Sequence, residues 1–345
     1  MALEKNLEKP IQKYRSIVQI LFTLLVIWIG IEFYQFVSYL DSNGTLPYYQ
    51  RPPGVDAFLP IGALMSIYYW ILTGTIHHAH PAGMFILLAV ITLSWVFGKS
   101  FCSWICPIGT LSEYIADFGD QVQKKLFKKI YQIPRWLDYP LRSLKYLIFG
   151  FFAYVIFTMS AAVLGEFLNS TYNMIADVKM YEFFADISRF SLIVIAVLFV
   201  LSIFIRGFWC RYLCPYGAFV GILSLLSFNK ITRNTDTCTN CKKCAIVCPS
   251  RIKVDKVKTV ISDECTTCMA CVDVCPINDT LQLQNVITKK KVSKKIVAFG
   301  IVIIFLVITG IGVITGHWQN DVTKKEYLEY YQQLNQIDHP GQYVN

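Results

Sequence analysis

The chain has 345 residues, of which 54% are hydrophobic and only 16% are charged, and its formal net charge is +9. This composition excludes an ordinary soluble protein and predicts an α-helical integral membrane protein with the lipid bilayer as a partner. We expect no nucleic-acid partner, because the Lys and Arg residues cluster in loops beside apolar segments, as the positive-inside rule describes.

The first half of the chain contains three apolar segments after a basic N-terminus, residues 1–16. Residues 17–40 are long enough to cross a hydrocarbon core of about 30 Å. They lack an obvious cleavage site, so we interpret them as an anchor and not as a cleaved signal peptide. Residues 59–75 are apolar but short, which predicts an interfacial or re-entrant helix. Residues 83–97 form the second predicted span.

Three histidines, His77, His78 and His80, precede the second predicted span. Three imidazoles within four residues could bind a metal ion or exchange protons with a quinol. A loop of solvated histidines is the plainer interpretation. Both alternatives stay open at the level of sequence.

Three more spans are predicted at 143–164, 187–205 and 296–316, and residues 111–141 have the pattern of an amphipathic helix on the cytoplasmic face. The N-terminus carries four Lys and Arg residues, residues 99–142 carry seven, and residues 206–295 carry fifteen. The intervening loops carry very few, so the basic parts should be cytoplasmic. We therefore expect about five spans plus the interfacial helix. This orientation requires that residues 59–75 do not cross the bilayer.

An internal repeat supplies four cysteines directly after two of the spans. The segments FCSWICPIGT and FWCRYLCPYG each contain Cys-x3-Cys-Pro-x-Gly, with Cys102 and Cys106 in the first and Cys210 and Cys214 in the second. In an α-helix, residues four apart lie on one face, so each pair could present two sulfurs together. Three roles stay open: a third metal or iron–sulfur site shared between the halves, a redox-active dithiol, or buried structural thiols.

The other eight of the twelve cysteines lie between Asp236 and Pro276, in two copies of Cys-x2-Cys-x2-Cys-x3-Cys-Pro. In this pattern three thiolates hold one iron–sulfur cluster, and the fourth cysteine reaches the cluster of the other copy. Zinc sites and a disulfide framework are alternatives, but neither explains the doubled spacing. The expected ligand sets are Cys238, Cys241, Cys244 and Cys275 for cluster I, and Cys265, Cys268, Cys271 and Cys248 for cluster II.

The doubled segment resembles a bacterial ferredoxin with two [4Fe-4S] clusters, an α+β domain that we place at residues 236–288. The remaining predicted regions are a cytoplasmic N-terminus, a membrane domain with two half-repeats, a final transmembrane helix and an extracytoplasmic tail, at 1–16, 17–235, 289–317 and 318–345. All twelve cysteines belong to the two kinds of motif, which favours a reducing compartment.

Together, FCSWICP, WCRYLCP and the ferredoxin segment resemble the membrane-bound iron–sulfur family that includes the NapH and NosR types and the oxidase accessory polyferredoxins. The resemblance implies electron transfer between the quinone pool or a cytoplasmic donor and a membrane or periplasmic redox partner, in the bacterial inner membrane with the ferredoxin domain in the cytoplasm. A copper-reducing maturation factor for a respiratory oxidase is the alternative. Quinone, a third cluster or copper could accompany the two [4Fe-4S] clusters. No nucleotide-binding or hydrolase motif is present in the sequence, which favours an electron-transfer subunit over a self-contained enzyme.

Overall fold

A computed structural model describes residues 5, 6, 8, 10–131 and 133–337. The described chain is mostly helical, and a short antiparallel sheet lies in its second half. In chain order the elements are α1 (Gln12–Asp41), α2 (Pro60–Thr73), α3 (Pro81–Phe97), α4 (Ser100–Trp104), α5 (Pro107–Phe127), α6 (Arg135–Thr158), α7 (Ala161–Leu168), α8 (Thr171–Met174), α9 (Ala176–Ala185), α10 (Arg189–Phe204), α11 (Pro215–Leu225), β1 (Asn229–Arg233), α12 (Lys243–Ile246), α13 (Ala270–Asp273), β2 (Leu281–Asn285), α14 (Lys294–Ile314) and α15 (Lys324–Gln332).

Three of the described helices are long and apolar enough to cross a membrane: α1, α6 from Trp136 onward, and α14. The pair α9 and α10 would make a fourth span if it is counted as one, although its axis bends by 83°. Helix α3 has 17 residues, and at 1.5 Å per residue it reaches only about 26 Å, less than the hydrocarbon core of about 30 Å. Five spans therefore remain a prediction.

The third predicted span and the amphipathic helix before it have different limits from those expected. Helix α5 ends where Lys128 adopts a left-handed conformation with φ of 52°. Helix α6 begins at Arg135, earlier than the predicted 143, and ends at Thr158, where Ser160 caps the next helix by accepting the backbone N–H of Val163. The prediction of one helix over 111–141 was wrong, because local capping divides this region. The joining stretch after α6 is itself helical, as α7, α8 and α9.

The chain divides into two compact units. The first comprises Met1–Thr23, Val90–Phe149 and Ala196–Phe305, and it contains all twelve cysteines. Its sheet pairs β1 with β2 from Asn229 opposite Asn285 to Arg233 opposite Leu281. Ile231 and Leu283 face each other in this register and are both buried. Strand β1 precedes Asp236, so the ferredoxin-like region includes residues ahead of the predicted boundary.

The two cysteine-rich copies have the same backbone conformation. Asn240 and Lys242 have φ of 54° and 60°, and the equivalent residues of the second copy, Thr267 and Met269, have φ of 51° and 58°. Each copy then enters a short helix, α12 or α13. Alternating left-handed residues turn successive backbone N–H groups toward one point, a conformation found around iron–sulfur clusters.

The second unit comprises Leu24–Ala89, Gly150–Ile195 and Leu306–Asn345. Its main core packs Phe36 of α1, Val178 of α9 and Tyr327 of α15, and a smaller cluster packs Met65 of α2 against Leu164 of α7. Thr323 and Glu326 form a capping box that starts α15. The predicted tail, 318–345, lies outside the described residues from 338 onward.

Candidate metal centre

The structure brings the eight ferredoxin cysteines together in two sets of four. One cavity is lined by Cys248, Cys265, Cys268 and Cys271. A second cavity is lined by Cys238, Cys241, Cys244 and Cys275. The fourth cysteine of each copy thus lies with the first three of the other copy. These are the crossed sets that the spacing predicts for the two clusters.

The cavities suit a cluster better than a single metal ion. Within the described residues, no three His, Cys, Asp or Glu side chains converge as they would around one ion. A zinc ion needs its sulfur ligands at about 2.3 Å, and therefore close to one another. Here the four thiols of each set line one shared cavity without converging on a single point. The N–H of Ile252 donates to Cys248 Sγ at 3.4 Å. The donor set and the backbone fit a cubane whose four thiolates and N–H donors would come from these residues.

The two cavities differ in their surroundings. The set with Cys265 is enclosed by apolar side chains, and burial raises the pKa of the Cys265 thiol to about 12. The set with Cys241 is lined by Arg233, Lys242 and Lys243, and Cys241 itself is exposed. The backbone N–H of Lys243 lowers the pKa of the Cys241 thiol. Burial and hydrogen bonds to sulfur tune cluster potentials, so two clusters in these cavities would not have equal potentials.

The four remaining cysteines lie at helix breaks, not along one helix. Cys102 is in α4, and Cys106 is the N-cap of α5. Cys210 is in a π-helical turn, Trp209–Leu213, and Cys214 is the N-cap of α11. The prediction that each pair shares one face of a single helix was wrong, because the proline after the second cysteine disfavours a helix interior and begins the next helix.

The two half-repeats nevertheless bring their cysteines together. Burial raises the pKa of the Cys102 thiol, and the neighbouring thiols of Cys106, Cys214 and Cys210 raise it further. Burial likewise raises the pKa of Cys210 to about 12. The N–H of Gly217 donates to Cys214 Sγ at 3.3 Å. Four thiols near one another, two of them at helix N-termini, can bind a metal centre or act as a dithiol.

Gly109 is required for this arrangement, because a Cβ atom there would lie 2.0 Å from the carbonyl oxygen of Cys102. We expect Gly109→Ala to displace Cys102 and to lower the thermal midpoint of the purified protein. Gly150→Ala is the matched control, since a Cβ at Gly150 meets nothing within 4 Å. Equal thermal midpoints for the two variants, measured by intrinsic fluorescence, would contradict the packing described here.

Aligned positions of the two half-repeats hold the loops around the cavity of Cys265. Ser103 Oγ donates to the carbonyl of Thr266 at 2.7 Å. Arg211, at the position that aligns with Ser103, donates to the carbonyl of Ser250 at 3.1 Å. Trp104 Nε1 adds a hydrogen bond to the carbonyl of Thr267 at 3.2 Å. Sequence reasoning missed these residues, although their position directly after Cys102 and Cys210 was a usable signal.

The three histidines do not form one site. His77 and His80 are buried, whereas His78 is exposed. His77 Nε2 lies 3.2 Å from the side-chain oxygen of Asn169, and His80 contacts Asp56 at 3.0 Å and the carbonyl of Asn173 at 2.6 Å. Burial lowers the pKa of His77 to about 4. The interpretation of a solvated loop is wrong for two of the three, and their separate partners give no support to a shared metal site.

Comparisons with known sequences agree with the cysteine pattern. The family described as "4Fe-4S binding domain" matches residues 79–134 and 189–233, which contain both cysteine pairs. The family described as "4Fe-4S dicluster domain" matches residues 230–276. No solved structure matches the chain significantly.

Among individual relatives, the chain is similar to YccM of Escherichia coli (strain K12), whose name marks it as a candidate electron transport protein. The two are 41% identical over 331 residues, 94% of this chain and 92% of YccM. The ferredoxin-type protein NapH of Haemophilus influenzae is 29% identical over 50% of this chain and 55% of its own length. The methylamine utilization ferredoxin-type protein MauN of Paracoccus denitrificans is 27% identical over 50% of this chain and 55% of its own length.

Proposed function

Since the chain belongs to the NapH-type family of membrane-bound 4Fe-4S proteins, we propose that it is a membrane-anchored electron-transfer protein with two [4Fe-4S] clusters. The observation that carries this proposal is the pair of cavities, each lined by the crossed set of four cysteines. Cubanes in such sites accept and release single electrons. Cluster I takes Cys238, Cys241, Cys244 and Cys275, and cluster II takes Cys248, Cys265, Cys268 and Cys271.

The surroundings of the two cavities suggest an order for the electron path. Cluster I lies beside exposed Cys241 and three basic side chains, a surface suited to a soluble donor with an acidic face. The residues that would hold cluster II are more buried, and the loops around their cavity accept hydrogen bonds from both half-repeats, through Ser103 and Arg211. The path we propose runs from a cytoplasmic donor through cluster I to cluster II and then to the cysteine pairs, or in the reverse direction from the quinone pool.

The cysteine pairs are the place where a further cofactor would extend this path. Two clusters on one side of a bilayer do not by themselves bridge about 30 Å of hydrocarbon. Cys102, Cys106, Cys210 and Cys214 lie close together, and the "4Fe-4S binding domain" match covers all four. We therefore place a third cluster there. The membrane or periplasmic redox partner would receive the electron from this point. The proposal locates the protein in the bacterial inner membrane, with the ferredoxin region on the basic, cytoplasmic side.

The test is iron and acid-labile sulfide per chain in anaerobically purified protein, with EPR of the dithionite-reduced state. We expect about twelve iron atoms per chain, and about eight after all four pair cysteines are changed to Ser, since each cubane holds four. Eight in both proteins would exclude the third cluster and leave two-cluster electron transfer in place. Copper bound by the wild type and lost in the quadruple variant would favour the maturation factor. Protein without acid-labile sulfide would contradict the proposed function.

A further inference from the structure

A buried lysine without a partner adjoins the cysteine pairs. Lys99 lies three residues before Cys102 and is only 4% exposed. Among the described residues, its ammonium group has no hydrogen-bond or ion-pair partner. A buried charge is costly unless nearby charges balance it, so the groups that surround this ammonium matter.

The nearby carboxylates form their direct ion pairs with other cations. Glu264 pairs with buried Lys145, and Asp263 pairs with Arg142 at 3.0 Å. These two carboxylates and two cations form a neutral group. Lys99 forms no direct ion pair with either carboxylate. Against the effect of burial, the pKa of Lys99 is raised by Glu264, the Cys102 thiol, Asp263 and the Cys214 thiol, so two of the groups that favour its charge belong to the cysteine pairs.

The next residue adds a second unsatisfied group. Ser100 is fully buried at the start of α4. Its Oγ is itself inaccessible to solvent and lacks a hydrogen-bond partner among the described residues. Buried hydroxyls are almost always hydrogen-bonded, so such an exception calls for a ligand or another explanation. Lys99 and Ser100 thus place a free cation and a free donor directly before the first cysteine of the site.

We propose that Lys99 and Ser100 complete the site of the third cluster, where the Lys99 ammonium balances the negative charge of the cluster and its four thiolates, and Ser100 supplies a hydrogen bond. This inference rests on the third cluster of the proposed function. Reduction adds one electron and therefore one negative charge to the cluster. A fixed positive charge nearby stabilises the reduced state more than the oxidised state, and it raises the reduction potential. Lys99 is thus a positioning residue that sets the potential at this site.

The test is a potentiometric EPR titration of full-length protein, with the iron content measured on each sample. The variants are Lys99→Met, Lys99→Gln, Lys99→Arg and Ser100→Ala, and Lys124→Met is the control because it removes the same charge from an exposed position. For Lys99→Met and Lys99→Gln we expect the reduced-to-oxidised ratio of the third cluster to fall at least tenfold at fixed potential, about 59 mV for one electron. Ser100→Ala should shift it in the same direction by less, and Lys99→Arg and Lys124→Met should stay near wild type.

The signals of the two ferredoxin clusters report in the same samples whether each variant is folded. Loss of the third cluster in Lys99→Met and Lys99→Gln, with recovery in Lys99→Arg, would also support the role of the charge. An unchanged reduction potential of the third cluster in Lys99→Met would overturn the proposed role of Lys99. Wild-type protein with only about eight iron atoms would overturn it as well, while two-cluster electron transfer would still stand. Failure of the proposed function would appear separately, as missing ferredoxin signals.

Discussion

Cys248→Ala is expected to remove the cluster held by Cys265, Cys268 and Cys271, although Cys248 lies in the other copy of the motif. The physical reason is the crossed arrangement, in which Cys248 lines the same cavity as those three thiols. Iron should fall by about four atoms per chain, one cubane. The EPR signal that is lost should be the one lost in Cys265→Ala, and the signal lost in Cys238→Ala should remain.

Double variants make this prediction sharper. Cys248→Ala with Cys265→Ala should lose the same four or so iron atoms as either single change, because both act on one cluster. Cys248→Ala with Cys238→Ala should lose about eight. Cys275→Ala is the reciprocal variant, because Cys275 lines the cavity of Cys238, and it should remove the same EPR signal as Cys238→Ala. If Cys248→Ala removed the signal that Cys238→Ala removes, the ligand sets would be local to each copy and the crossed assignment would be wrong.

Arg51→Met is expected to destabilise the second unit strongly. Arg51 is 3% exposed, and its guanidinium pairs with Asp177 at 2.5 Å and with Asp56. Both carboxylates are almost fully buried, and the cations beside Asp56 hold its pKa at about 2 against the effect of burial. Removal of one partner leaves buried charge uncompensated, which costs about 3–5 kcal/mol. We expect a clearly lower thermal midpoint in detergent or nanodiscs.

Two further variants separate charge from packing in this network. Lys325→Met removes an exposed cation whose pair with Glu329 lies at the surface, and it should leave the midpoint unchanged. Arg51→Met combined with Asp177→Asn should recover part of the loss, because the second change removes one of the stranded charges. A midpoint for Arg51→Met equal to that of Lys325→Met would contradict a structural role for the buried network.

The sequence predicted those features that local spacing determines. The doubled Cys-x2-Cys-x2-Cys-x3-Cys pattern predicted two sets of four, and the structure gathers each set around a cavity. The longest apolar runs predicted α1 and α14. The proline after Cys106 and Cys214 also carried a local signal, namely a helix start, which the helical-face argument overlooked.

Features that depend on distant parts of the chain were not predictable in the same way. His80 is buried because Asp56 and Asn173, far away in sequence, surround it. Lys99 looked like one more basic loop residue, since only the fold shows that the carboxylate of Glu264 is already occupied by Lys145. Burial and pairing of polar groups are set by tertiary packing, and hydrophobic periodicity does not report them.

The N-terminal segment forms hydrogen bonds with the second cysteine-rich copy, which the ribosome makes much later. These contacts can therefore form only late in synthesis. The N–H of Ile11 donates to Asp273 at 2.9 Å across a separation of 262 residues, and Gln12 donates to the carbonyl of Cys268 at 2.9 Å. At about 5–20 residues per second, a ribosome needs roughly 13–52 s to make the partner after Ile11 has emerged. The first helix is therefore synthesised long before its N-terminal end can dock. The N-terminal segment is therefore present, but not yet docked, while the chain up to Cys268 is made. Iron and sulfide could reach the Cys268 site before Gln12 binds the carbonyl of Cys268.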